Sequence, residues 1–139
     1  MKKTFKQVLL VVSCMVIPFG SYANTNQDLA AKNLAEGAKR NLLSIYGKFP
    51  IKLDNVSQLT DITSSKQNII YDYNVTMESG LLTSEILAEA LKESQKDSVC
   101  SVPVFVQTFK ENDLRFLYRY QFSDKKIIPV TLSIDDMCD

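Results

Sequence analysis

A chain of 139 residues, 23% charged and 45% hydrophobic, is long enough for one globular domain and too short for two. Its 16 basic and 16 acidic side chains balance, and beyond residue 23 there is no Lys/Arg cluster, which argues against nucleic acid or anionic lipid as a partner. With no histidine, Ser-His and Cys-His catalysis are excluded, and four scattered glycines form no phosphate-cradling loop.

The N-terminal segment reads as an export signal. Lys2, Lys3 and Lys6 precede an apolar run from Val8 to Ile17, Pro18 and Gly20 break it, and Ser21-Tyr22-Ala23 offers small residues to a signal peptidase. Cleavage after Ala23 would leave residues 24–139 as a single domain with 13 basic and 16 acidic residues. The competing reading is a lipobox, Val11-Val12-Ser13-Cys14, with Cys14 lipidated. The short apolar stretch before Cys14 and the apolar residues after it argue against that. An uncleaved anchor is disfavoured because the run is short for a bilayer.

Thr25 and Asp28 have the spacing of a capping box, and Leu34, Ala38, Leu42 and Ile45 recur at helical intervals, so a helix is expected over 26–46, with Gly47 as its stop. Residues 53–65 alternate weakly and read as a short strand. Over 67–77 the alternation is clear: Ile69, Tyr71, Tyr73, Val75 and Met77 share one face. Thr83 or Ser84 then caps a helix over 84–96, whose inner face is read as Ile86, Leu87, Ala90 and Leu91. Ser101 is expected to cap a short third helix with Pro103 in its first turn and Asn112 as a left-handed stop. Phe116, Tyr118, Tyr120 and Phe122, then Ile128, Val130, Leu132 and Ile134, make a closing hairpin. Pro129 requires an edge strand or an outward-facing donor position. The expected fold is α+β: an antiparallel sheet of three or four strands packed by an N-terminal helix and one or two middle helices.

Cys100 and Cys138 are the two cysteines outside the signal, and an even count in an exported chain reads as a disulfide. The absence of CxxC and of histidine disfavours redox or metal chemistry. Asp135, Asp136 and Asp139 read as a solvated acidic tail rather than a calcium site. No catalytic residue, metal or cofactor is expected. Tyr71, Tyr73, Tyr118 and Tyr120 lie on sheet faces, and tyrosine suits a surface that is apolar but partly wet. They are candidates for a partner-binding groove, against the plainer reading that helices cover them as core.

The arrangement resembles the sheet-containing type II secretion pilotins and related uncharacterised exported bacterial two-cysteine proteins. The resemblance runs over about residues 28–138. It rests on the opening helix ending in Phe49-Pro50-Ile51-Lys52, the strand Ile69-Ile70-Tyr71-Asp72-Tyr73-Asn74-Val75, a helix leading to Cys100, then Leu114-Arg115-Phe116-Leu117-Tyr118-Arg119-Tyr120 and the terminal Cys138. This chain departs from the family pattern at Ser101-Val102-Pro103 and at Asn112-Asp113. Such pilotins are outer-membrane lipoproteins that bind a helical tail of the secretin. The resemblance therefore implies a non-enzymatic accessory protein of an envelope machine, periplasmic or held at the outer membrane through Cys14, whose partner is another envelope protein offering a helical or extended peptide. The alternative function is a periplasmic immunity or inhibitor protein that blocks a toxin or hydrolase.

Overall fold

The computed structural model describes residues 27–138. Helix α1 (Gln27–Tyr46) opens the fold and buries Leu34, Ala38 and Leu42, as their spacing requires. Gly47, at φ +87°, donates its N–H to the Leu43 carbonyl and ends the helix in the conformation glycine tolerates best. Thr25, half of the expected capping box, and Cys14 lie outside the described residues.

Five strands follow in a single sheet of order β1-β2-β3-β4-β5: β1 (Ile51–Lys52), β2 (Ser57–Ser65), β3 (Asn68–Val75), β4 (Arg115–Gln121) and β5 (Ile127–Ser133). The sheet is mixed, which corrects the expected three or four antiparallel strands. β3 and β4 pair in parallel, with Tyr71 beside Tyr118 and Tyr73 beside Tyr120, while the other three pairings are antiparallel. The cause is the crossover between β3 and β4. Helix α2 (Ser84–Cys100) runs back along the sheet, and α3 (Pro103–Asn112) then delivers the chain to the end at which β3 began.

In β2 the register slips between Leu59 and Asp61, so Leu59 and Ile62 both turn inward although three residues separate them. Met77 falls beyond β3 and is 48% exposed, not part of its inner face. Pro129 stands on edge strand β5 opposite Arg119. Because Phe122 N–H bonds the Lys126 carbonyl, the bonded pairs alternate through Tyr120–Ile128. Pro129 thus occupies a non-bonded pair, where its missing donor faces away from the sheet.

Thr83 caps α2 as expected, accepting from Ile86 N–H at 3.2 Å. The helix continues to Cys100, beyond the expected end at 96, and its inner face is rotated from the expected one. Of the expected face, Leu91 is buried and Leu87 is partly buried against the core, whereas Ile86 and Ala90 are exposed; Ser94, Gln95, Ser98 and Val99 complete the buried side. Ser101 does not cap α3; Val102 occupies that position without a side-chain bond, and Pro103 begins the helix. The left-handed stop is Asp113 (φ 50°), not Asn112, which is the last helical residue.

A fourth helix, α4 (Ile134–Cys138), was not expected. Ser133 and Asp136 build it reciprocally: Ser133 Oγ accepts from Asp136 N–H at 3.0 Å, and the Asp136 carboxylate accepts from Ser133 N–H at 2.9 Å. The Cys100–Cys138 disulfide therefore joins the C-termini of α2 and α4. One face of the sheet is covered, by α1 over β2 and β3 and by α2 over β5.

Candidate functional site

The four tyrosines form a ladder on the helix-covered face. Strict alternation in β3 and β4, with parallel register, stacks Tyr71 on Tyr118 (centroids 5.4 Å apart) and Tyr73 on Tyr120 (4.8 Å). All four are buried, at 1–3% exposure, so of the two readings the rings take the plainer one and lie in the core. Burial pushes the phenol pKa values upward, and all four stay protonated.

The polar ends of the ladder are unevenly satisfied. Tyr118 donates to Gln95 Oε1 on α2 at 2.7 Å, with both residues buried. The Tyr71 hydroxyl and the Ser98 hydroxyl of α2 are buried and have no hydrogen-bond partner. An amphipathic helix normally brings apolar side chains to such a face, whereas α2 brings Ser94, Gln95 and Ser98.

The opposite face of the sheet is open and polar. Arg119 holds Asp72 across the β3–β4 pair through two bonds, 2.6 and 2.8 Å. A shallow concavity of about 590 Å³ there is lined by Thr60, Asp72, Asn74, Arg119, Gln121 and Lys125 among others. Among the described residues no group of three or more potential ligands is placed to hold a metal ion, and no helix is long and apolar enough to cross a membrane. Asp135 faces Lys110 at 3.8 Å and Asp136 is taken up by the α4 cap.

Exposed apolar side chains concentrate at one end of the molecule. Met77 follows β3 and Ile127 opens β5, so both lie at the end of the sheet where β3 and β4 finish. Leu81, 94% exposed, and Ile86, 51% exposed, flank the start of α2, where Leu82, Thr83 and Glu85 line a shallow cleft together with Ile127 and Pro129. α1 points the same way. Lys39 meets Asp61 partway along β2, and the helix runs on for about 10 Å to exposed Ile45 and Tyr46. Gln27 marks the opposite end, where its side chain donates to the Asn112 carbonyl at 2.9 Å. The sequence reading passed over Leu81 and Ile127; the Leu81-Leu82 pair directly after a turn was the available signal.

No family model matches the chain, and no curated relative matches it in sequence. Three solved structures resemble it. The pilotin EpsS of the Vibrio vulnificus type 2 secretion system is 13% identical, with a TM-score of 0.53 over 86% of this chain and 98% of that one. A Pseudomonas aeruginosa protein predicted to be secreted is 13% identical, with a TM-score of 0.54 over 80% and 96%. The type II secretion system pilotin AspS of Vibrio cholerae is 10% identical, with a TM-score of 0.52 over 84% and 96%. The chain thus has the fold of the sheet-containing type II secretion pilotins.

Proposed function

We propose that this protein is an exported, non-enzymatic accessory protein of a bacterial secretion machine, pilotin-like in role, which binds a helical segment of an envelope partner. The observation that carries the reading is a conjunction: a fold shared with two pilotins over nearly their whole length, and an apolar end rich in exposed side chains. Leu81, Ile86 and Ile127 offer exposed apolar side chains of the kind that meet the apolar stripe of an amphipathic helix. Each fully buried Leu or Ile contributes roughly 1.5–3 kcal/mol.

Localisation follows from the same reading. The mature chain begins at Asn24 in the periplasm, or at a lipidated Cys14 on the outer membrane. Because Gln27 lies at the end remote from Leu81 and Ile127, an N-terminal tether would leave the apolar end facing away from the membrane. Lipid is then a poor occupant for that end and a protein a good one.

The test is direct binding of a synthetic peptide covering the C-terminal helix of the outer-membrane secretin encoded in the same genome. Calorimetry should show a complex with the wild type. A Leu81→Asp/Ile127→Asp variant should bind at least about tenfold more weakly, equivalent to roughly 1.4 kcal/mol. A peptide ignored by the wild type, alongside tight binding to a co-encoded toxin or hydrolase, would replace this reading with the inhibitor one.

A further inference from the structure

We infer that the concavity on the open face of the sheet holds the C-terminal end of the partner's helix, with the terminal carboxylate of that helix beside Lys125. For its occupant this rests on the proposed function, to which it adds a direction: the docked helix runs from the α2 side of the apolar end toward the concavity.

Strand register builds the site. On the open face, Asn74 of β3 stands beside Gln121 of β4, and Gln121 beside Ile127 of β5. The next row carries Asp72, Arg119 and Pro129. Neighbouring strands lie about 4.8 Å apart, so three of them present a width of roughly 10 Å, that of one helix. Ile127, 56% exposed, lines both this concavity and the cleft at the start of α2. The apolar end and the concavity therefore meet at Ile127 and form one continuous surface.

Charge gives that surface its direction. In the cleft, Glu85 and Lys126 oppose each other in sign. In the concavity, Arg119 donates from Nε and Nη2 to Asp72, so those two charges offset each other. Lys125 has no ion-pair partner among the described residues. The uncompensated charge of the lining is thus the Lys125 ammonium, with the Arg119 Nη1 and the Asn74 and Gln121 amides as further donors. A helix C-terminus matches that combination. Its last four carbonyls have no intrahelical donor, its dipole leaves about half a negative charge there, and the terminal carboxylate adds to both. A lone acidic side chain would pair with Lys125 and leave the amide row unused, and a positive helix N-terminus would be repelled.

Calorimetry with two forms of the secretin peptide, one ending in the free carboxylate and one amidated, tests this. At low salt the wild type should bind the acid about threefold more tightly than the amide. Lys125→Asn removes the charge with a residue that tolerates the left-handed backbone at φ 70°, and its thermal unfolding should stay close to that of the wild type. It should lose about threefold for the acid and nothing for the amide, so that both changes together cost about threefold rather than about ninefold. Roughly 1 M salt should abolish the preference for the acid, because the Debye length is then about 3 Å. Equal wild-type affinity for acid and amide, or losses that multiply to about ninefold, places the carboxylate elsewhere. Either result overturns the inference and leaves the docking reading intact. Failure of the wild type to bind either peptide removes that reading and this inference together.

Discussion

The Tyr118 hydroxyl donates to Gln95 Oε1 at 2.7 Å across the buried junction of β4 and α2. The bond ties that helix to the sheet, and its removal is informative because both partners are shielded from water. Tyr118→Phe leaves the Gln95 oxygen buried and unpaired and should cost about 1–3 kcal/mol in urea unfolding. The double variant Tyr118→Phe/Gln95→Leu removes both polar atoms and should regain much of that loss. Equal losses in the single and double variants would mean that the oxygen finds another donor.

The disulfide closes a 38-residue separation. Chain entropy alone gives it about 4 kcal/mol, and Cys138→Ser should lower stability within the usual range of about 2–5 kcal/mol. Intact mass of exported protein, with and without reductant, gives the bond directly; two free thiols would refute it. Because α4 holds Ile134 and Met137 in the core, the reduced protein should also expose apolar surface and bind a hydrophobic dye.

Two turns place lysine where the backbone favours glycine. Lys125 has φ 70°, and its N–H bonds the Phe122 carbonyl in the five-residue connection between β4 and β5. Lys66 has φ 54° between β2 and β3. At Lys125, glycine relieves the left-handed cost, while the more flexible unfolded chain offsets part of the gain. Lys125→Gly should be neutral to about 1 kcal/mol more stable, and Lys125→Val should be about 1–2 kcal/mol less stable. Thermal unfolding of the two variants in parallel ranks them; a valine variant at or above the glycine one contradicts the assigned backbone.

The same hairpin carries an acid-sensitive contact. Ser79 Oγ donates to Asp124 Oδ2 at 2.7 Å, holding the β4–β5 turn against the connection that leads to α2. That bond, with backbone N–H groups, holds the Asp124 carboxyl below its ordinary value of 3.8. A carboxyl lowered in the folded state adds stability above its unfolded pKa and loses it as pH falls through the folded value. The contribution should be intact at pH 5 and disappear below about pH 3.8. Asp124→Ala should flatten the stability profile in that window and leave it unchanged above pH 5. A variant that tracks the wild type below pH 3.8 would remove Asp124 from the account.

Sequence pattern revealed the elements whose faces are cleanly divided. Leu34, Ala38 and Leu42 announce α1, and strict alternation announces β3 and β4. Other features leave no such trace. The slip between Leu59 and Asp61 breaks the period of β2, and α4, only five residues long, depends on a Ser133–Asp136 cap at the end of a strand. Alternation is the same in parallel and antiparallel strands, so the β3–β4 direction is set by where α2 and α3 deliver the chain. The inner face of α2 was only half legible, because three of its five buried residues are polar and hydropathy points to exposed Ile86 as readily as to buried Leu91. For the tyrosines, periodicity fixed a shared face and stacking register but not their coverage.

The central claim is a secretion-accessory role exercised through the apolar end of the molecule. Its most direct measurement is the fate of the secretin in cells lacking this protein. Outer-membrane fractions should contain few assembled secretin multimers, and wild-type protein supplied in trans should restore them. The Leu81→Asp/Ile127→Asp variant, expected to fold because both positions are exposed, should accumulate normally and restore nothing. Full secretin assembly in the outer membrane without this protein would contradict the account.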